Sequence, residues 1–527
     1  MPPPSAAKSK KPFVSPGRAL RDEPLIDLAD IQSDLLLGHS KLVEAQVFFK
    51  ITDAKKFARF VQGKATPAID AYHSGSGDVA QFTGKKVPTI RTAVAFSHAG
   101  LDKLGRAPKS GEPVITAFKQ TMADRAVKQL NDSNPKTWDV GSPSKEPDGV
   151  FVVTAGKKTK NPAPSDIAKW IKQRDDFLAA NFPGGTAAGF TVIGTFLGNI
   201  RPAPEDGHEH FGFLDGVSQP GLRGRLDHEG KLPLTANFKR KGNATSDEAG
   251  QGLPGQDLLW PGEFIFGLSA QDEGARDMAE EGPPRAAPAE WRNGAFLVIR
   301  RLRQFVPEFR QGVAAAARTA GLTPDLLGTQ LVGRWPGGAP LLVHQARDPG
   351  PKAGRDESLN NDFEFGGDRG GGVCPWAAHV RKVYPRDEVP GSFAPPPPTQ
   401  DQVDAAEAFT QQHRLLRRGI QFGPELTADE TNNTIEERGL LFKCYVTDLD
   451  TQFEFVQRDW ANNASFAHGG AGVDPIIGQQ PKAAKRPFAG AGAPGSKPQF
   501  SFVPWVEMTG GAYFFAPSLS FIRGLVD

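Results

Sequence analysis

The sequence predicts an α+β chain built from two related units, with antiparallel sheets carrying helices on one face. Three observations lead there. A short apolar strand feeding an amphipathic segment occurs four times, twice in each half of the chain. The halves are separated by a long stretch rich in Gly, Pro and charge. The composition, 38% hydrophobic and 23% charged over 527 residues, is that of a chain able to bury a sizeable core.

The elements follow in order. Residues 1–28 scatter Lys8, Lys10, Lys11, Arg18 and Arg21 among prolines and read as a disordered N-terminal arm. They hold no apolar segment of the secretory type, so the expected location is cytoplasmic, with extracellular export by a non-classical route as the alternative. Residues 29–220 form the first unit. In it AQVFFKIT (45–52) has strand composition and leads into DAKKFARFVQG (53–63), while TAVAFSHAG leads into LDKLG within 92–105. Residues 221–293 are a connecting or insertion region, long enough that a functional or disordered role is expected. Residues 294–527 form the second unit. GAFLVIRRL leads into RQFVPEFRQGVAAAAR (294–318), and RGLLFKCYV leads into TDLDTQFEFVQRDWANN (438–463). GGDRGGG (366–372) and the proline run 395–398 read as loops.

Composition excludes several classes. With 62 Lys+Arg against 60 Asp+Glu, the chain has no basic excess for phosphate contacts, and nucleic acid is not an expected partner. No apolar run approaches the ~18 residues of a membrane helix. Cys374 and Cys444, the only cysteines, make neither a disulfide framework nor a CxxC metal knuckle. The 36 Phe against 4 Tyr fit a Phe-rich core, which needs no hydrogen-bond partners, or a dry pocket for a large flat ligand. GAGAPGSK (490–497) satisfies GxGxxG on paper, but its context reads as lacking both the preceding strand and the following helix of a nucleotide site. DGHEH (206–210) offers a His-x-His to a metal and reads more simply as a polar loop.

Three segments place charged residues in apolar or glycine surroundings. HFGFLDGVSQPG (210–221) sets Asp215 between Leu214 and Gly216, with Gly212 and Gly216 permitting tight turns and close approach by a ligand. Alone, Asp215 reads equally as a cap or turn residue. CPWAAHVRKVYPR (374–386) carries His379, a metal ligand or a core histidine, with Arg381 and Arg386 able to hold carboxylates. HRLLRRGIQFGPE (413–425) carries Arg417 and Arg418 ahead of Gly419, which alone would be a solvated helix end.

Taken together and in order, these segments resemble the dye-decolorizing peroxidases, specifically the long branch that includes the fungal enzymes. PGQDLLWPGEFIFG (254–267), NGAFLVIRRLRQFVPEF (293–309), VDPIIGQ (473–479) and GGAYFFAPS (510–518) extend the likeness over residues 25–520. The resemblance implies duplicated ferredoxin-like units with one haem b per chain bound in the C-terminal unit. His379 matches the proximal ligand to the haem iron, and Asp215 and Arg417 match the distal pair. Arg386 matches a residue that binds a haem propionate, and Asp474 is the candidate acidic partner of His379. Leu440 and Phe442 resemble the apolar residues that restrict access to the iron. The chain departs from some relatives at Phe422, where they carry Tyr; Trp376 and Trp460 are substitutes for a surface radical route, and packing is the simpler role for both.

What the resemblance implies is a haem peroxidase that reduces hydrogen peroxide to water and oxidises small organic donors such as dyes and phenols one electron at a time. Asp215 would act as base and then acid, and Arg417 would stabilise charge as the O–O bond breaks. Because reference pKa values are ~3.9 for Asp and ~6.5 for His, a carboxylate base implies an acidic optimum. The competing reading is a haem-holding or delivery protein on the same fold; Asp215 and Arg417 argue against it, since holding haem requires neither.

Overall fold

The computed structural model describes residues 22–526, apart from 28, 37–40, 66–88, 114–115, 157–158, 160, 183–185, 227, 229–233, 236–251, 273, 275–279, 393–395, 481–484 and 493–496. Its first unit supplies β1 (Val43–Ile51), β2 (Ile90–Phe96), β3 (Gly149–Ala155) and β4 (Phe190–Asn199). Its second supplies β5 (Ala295–Gln304), β6 (Leu416–Arg417), β7 (Ile420–Phe422), β8 (Gly439–Val446) and β9 (Val506–Ala516). Within each unit the first strand lies between the third and the fourth, and the second lies outside the third. The orders are β4-β1-β3-β2 and β9-β5-β8-β6, with β7 also on β8. This is the ferredoxin-like order, made twice with antiparallel pairing throughout.

The two halves join where β9 meets β2 at Phe515 and Phe96, giving one nine-stranded sheet. The far edges also meet. A Cβ on Gly198 of β4 would lie 2.6 Å from Ile420 Cγ2 and 2.9 Å from the Gln421 carbonyl of β7, so only glycine allows that approach. The sheet therefore wraps toward a barrel.

Strand alternation divides the side chains between two layers. On the inner face Phe48, Leu297, Leu441 and Tyr445 pack together. Inside lies also a fully buried charge cluster in which Lys443 Nζ meets Asp34 Oδ2 at 2.7 Å and Glu44 Oε2 at 3.0 Å. Tyr445 donates to the same Asp34 oxygen, so Ser33–Leu36 is tied into the interior. On the outer face Val47, Phe49, Phe151, Val298 and Phe296 pack under the helices.

The four expected strand-to-helix units are all present. β1 leads to α1 (Ala54–Phe60), whose start Asp53 caps by accepting from Lys56 N at 3.0 Å. β2 leads to α2 (His98–Lys103). β5 leads to α3 (Val306–Ala320), with Pro307 in its first turn and Gly321 closing it at φ +67°. β8 leads to the helical segment Leu449–Ala461, wound as two π-type stretches.

Three expectations need adjusting. Residues 22–27 are not part of a disordered arm, since Ile26 is buried and Leu25 bridges to Arg225; the rest of 1–28 lies outside the described residues. The stretch 221–293 is not merely a connector. Its apolar run Leu258–Phe266 is core, with Leu259, Trp260, Phe264 and Ile265 buried. GAGAPGSK does follow a strand, Arg486–Ala489, but the next described element is Gln499–Phe502, a strand paired antiparallel with it and not a helix; residues 493–496 lie outside the described residues.

Candidate functional site

A cavity of about 240 Å³ opens on the outer face of the second unit's sheet. Alternation on β5 points Arg300, Leu302 and Gln304 at it, and alternation on β8 points Leu440 and Phe442. The short helix His379–Val383 contributes His379, Val380 and Val383, and the helical segment after β8 contributes Phe453, Val456 and Gln457. Residues of the loop 209–220 form a further wall, and Arg334, Arg386, Arg414 and Arg417 bring charge to the lining.

That loop is shaped by its own backbone. The Leu214 amide donates to the Pro336 carbonyl at 3.0 Å and the Asp215 amide to the Gly207 carbonyl at 2.9 Å. Glu209 accepts from the amides of Phe211 and Phe213 at 2.8 and 2.9 Å, and burial pushes its carboxyl above the usual range. Gly216, at φ +73°, makes the turn that follows Asp215. Its amide donates to Asp215 Oδ1 at 2.6 Å, and Arg417 Nη1 approaches the same oxygen at 3.4 Å. Oδ2 is left with no protein donor among the described residues. Arg417 Nη2 donates to the Ser218 carbonyl. Asp215 and Arg417 are each about one-third exposed, enough to meet a small molecule in the cavity.

The histidine is fixed from behind. His379 Nδ1 lies 2.8 Å from Asp474 Oδ2, while Oδ1 of the fully buried Asp474 accepts from the amides of Ile476 and Ile477 at 2.8 and 2.9 Å. Burial alone would raise this carboxyl, but His379 and the two amides outweigh it and hold it below the usual carboxylate range. With Nδ1 so engaged, Nε2 is the nitrogen left for the cavity.

Arg386 lies in the left-handed region at φ +57°, a strained backbone for a residue with a side chain. Nη1 donates to the carbonyls of Gly255, Asn361 and Phe363, and its guanidinium stacks 4.0 Å from the Phe363 ring centre. Nε and Nη2 are buried without a hydrogen-bond partner among the described residues. Two orphaned donors on a buried cation are costly unless an acceptor occupies them, so this end of the cavity suits an anionic group. The donor set as a whole fits haem: a free imidazole nitrogen for iron, apolar walls, and arginines for carboxylates.

Of the residues singled out from sequence, Asp215, Gly216, His379, Arg386, Arg417, Leu440 and Phe442 line this one cavity. Asp474 stands behind His379. Gly212 does not reach the cavity. At φ +101° it lies on the opposite side of the loop, where it lines an outer cleft with His208 and Pro336. His210 is no metal ligand in this arrangement, because its Nε2 faces the Phe422 carbonyl at 2.9 Å. Phe422, Trp376 and Trp460 are 5%, 6% and 1% exposed and pack inside the protein. Sequence reasoning missed Arg334, which lines the cavity while donating to the carbonyls of Gly338 and Asn360 and to Asn361 Oδ1. It also missed Tyr384, whose hydroxyl donates to Asp257 and whose ring lies 3.5 Å from the Arg414 guanidinium. Arg334 sits in VGRWPGG, an arginine in glycine and apolar context like the three segments that were noticed.

The family model described as "DyP dimeric alpha+beta barrel domain" matches residues 30–181. The chain is 31% identical to a dye-decolorizing peroxidase of Mycena epipterygia over 95% of its own length and 87% of that protein. It is 28% identical to the multifunctional dye peroxidase DyP2 of an Amycolatopsis species, over 94% of this chain and 96% of that one. Among solved structures, an ancestral D-type dye decolorizing peroxidase superposes with a TM-score of 0.74 at 31% identity, covering 95% of this chain and 99% of that one. The fungal DyP-type peroxidase from Auricularia auricula-judae gives 0.73 at 29%, with the same coverage. The chain belongs to the dye-decolorizing peroxidase family. It is a peroxidase, an enzyme of a haem-dependent class whose substrates are a peroxide and a reductant. Among the described residues no helix is long and apolar enough to cross a membrane.

Proposed function

We propose that this peroxidase uses hydrogen peroxide as oxidant and takes electrons singly from small organic donors such as phenols and dyes, with haem b held in the cavity of the second unit. The observation that supports this most is the convergence on one cavity of a carboxylate–guanidinium pair and an imidazole backed by a buried carboxylate. His379 would offer Nε2 to the iron while its Nδ1–H donates to Asp474, which makes the imidazole a stronger donor. Arg386 would hold a propionate through Nε and Nη2. Haem supplies the redox capacity for splitting peroxide.

The chain's own residues manage the protons. Asp215 takes a proton from one peroxide oxygen through Oδ2 and returns it to the other as that oxygen leaves as water. Arg417 stabilises, through its guanidinium, the charge that develops on the leaving oxygen. Leu440 and Phe442 narrow the cavity above these groups and keep bulky donors out. An acidic optimum follows from a carboxylate base, as the sequence implied. An absorption spectrum before and after one equivalent of peroxide tests the reading. A Soret band that shifts within seconds in the wild type, and far more slowly in D215N, is expected. A wild-type band that does not respond to peroxide would overturn it.

A further inference from the structure

We infer that Gln219 is a positioning residue, which locks Arg417 to the turn that carries Asp215. The inference rests on the peroxidase reading of that pair and names what sets its geometry.

The problem it solves is a local one. β6 is only two residues long and lies at the edge of the sheet, with Arg417 opposite Cys444 of β8. The Arg418 amide turns toward β8, donating to the Lys443 carbonyl. The amide and carbonyl of Arg417 turn the other way, where no further strand follows among the described residues and the carbonyl meets only Arg418 Nη1, at 3.0 Å, besides Gln219. Unpaired edge groups must find another partner or water. The side-chain amide of Gln219 provides both functions. Oε1 accepts from Arg417 N at 3.2 Å, and Nε2 donates to Arg417 O at 3.2 Å. One primary amide thus replaces a missing strand, closing a two-bond ring on the backbone of a single residue.

The ring matters because of where Gln219 sits. It follows Asp215 by four residues, and between them Ser218 accepts from Arg417 Nη2 through its carbonyl. Within five consecutive residues the loop therefore grips Arg417 at its backbone, at Nη2 and at Nη1. The direct Arg417–Asp215 contact is the longest of these at 3.4 Å and cannot fix the pair by itself. Gln219 is anchored in turn. Its carbonyl accepts from Gln256 Nε2 at 3.0 Å, and Gly221 donates to the Asp257 carbonyl at 2.8 Å. The clamp belongs to the framework rather than to a loose loop.

The test uses the haem-loaded, full-length protein with Q219M, which keeps length and volume and removes both amide functions. A displacement of the guanidinium by about 1 Å costs on the order of 10–100-fold in rate. The second-order rate constant for hydrogen peroxide should fall by that range, while the rate constant for the reductant stays within about twofold. A readout independent of turnover is fluoride binding to the ferric protein, followed by absorbance. The distal donor stabilises a bound anion, so the fluoride Kd should rise about 5-fold or more. Hydrogen exchange of the Arg417 amide should accelerate in the same variant. In R417L the added Q219M change should do nothing further, since the residue it positions is gone.

Q219E keeps the acceptor for the Arg417 amide and loses the donor to its carbonyl, and an intermediate effect is expected. It serves as the test variant if Q219M loses haem. A slowed R417L beside a Q219M with unaltered peroxide rate and fluoride Kd overturns the clamp alone. An unaltered R417L overturns the role of the pair, and the clamp with it. Equal losses from Q219M in the presence and absence of Arg417 also overturn it, because they mark general damage.

Discussion

The two units share a strand order but fill the layer between sheet and helices in opposite ways. In the first, Phe49, Phe57, Phe60, Phe151, Phe182 and Phe190 close the space. Phe151 lies 4.8 Å from Phe49 and 4.7 Å from Phe182 between ring centres, and Phe57 lies 5.9 Å from Phe190. In the second, the corresponding face of β5 presents Arg300, Leu302 and Gln304, and a cavity remains. Arg300 is kept there by Asp132, which takes Nη1 at 3.0 Å from outside the cavity. The difference shows that architecture does not decide where a pocket forms. Side-chain volume and charge at alternate strand positions decide it. Rings that need no hydrogen bond fill one layer, and charged groups that need partners hold the other open.

The comparison breaks most visibly at His379. On the proposed reading, H379A takes from the second unit its ligand to iron. The expected result is loss of the Soret band of the purified protein and a fall in peroxidase turnover of about 10³-fold or more, while the far-ultraviolet circular dichroism keeps its shape. Retention of pigment and turnover would mean the cavity is not what distinguishes the units. The next effect is at Asp215. D215N preserves shape and removes the carboxylate proposed as base, and general acid–base catalysis is worth about 10²–10⁴-fold, so kcat/KM for peroxide should drop by that range with haem content unchanged.

The first unit should answer in a different currency. F151A empties the centre of that aromatic cluster, where Phe151 itself is fully buried, and Phe→Ala in a core costs about 3–5 kcal/mol. A urea titration should show that loss, whereas turnover per bound haem at low denaturant should stay within about twofold. A large loss of turnover per haem would show that the two units are not separable in this way.

How far the sequence revealed this division can be traced residue by residue. The strand-to-helix units were visible because apolar runs such as VFFK and FLVI end in residues that start helices, such as Asp53 before α1. Asp215, His379 and Arg417 were visible as polar groups in apolar or glycine segments, and the family resemblance joined them. Gly212 was misjudged because a loop has two faces, and only its backbone hydrogen bonds to Gly207 and Pro336 decide which residues turn inward. The run 254–267 was folded into a linker because gly-rich and pro-rich flanks hid a buried apolar stretch. Gln219 acts on the backbone of Arg417, 198 residues away, and Arg334 reaches Asn360 and Asn361 as well as the nearby Gly338 carbonyl; composition carries no trace of the distant partners.

The smallest effect expected sharpens the comparison through pH. Asp474 is fully buried, and burial favours its neutral form; His379 and the amides of Ile476 and Ile477 outweigh that and hold its pKa below the unfolded value. A group with a depressed folded pKa stabilises the protein above its unfolded pKa, ~3.9 for Asp, and loses that contribution as pH falls through the folded one. D474N removes the charge at every pH. The variant should therefore be less stable than wild type at pH 5–7 by roughly 1–3 kcal/mol, the cost of an altered buried hydrogen-bonded charge. The gap between the two should narrow as the pH falls below ~4, where the unfolded wild-type chain takes up the proton that the folded carboxylate still resists. Denaturant melts at pH 6, 4 and 3 measure the gap. A constant gap across that range would show that Asp474 supports His379 as a neutral hydrogen-bond partner. A closing gap shows that its charge holds the imidazole through the acidic range in which a carboxylate base works.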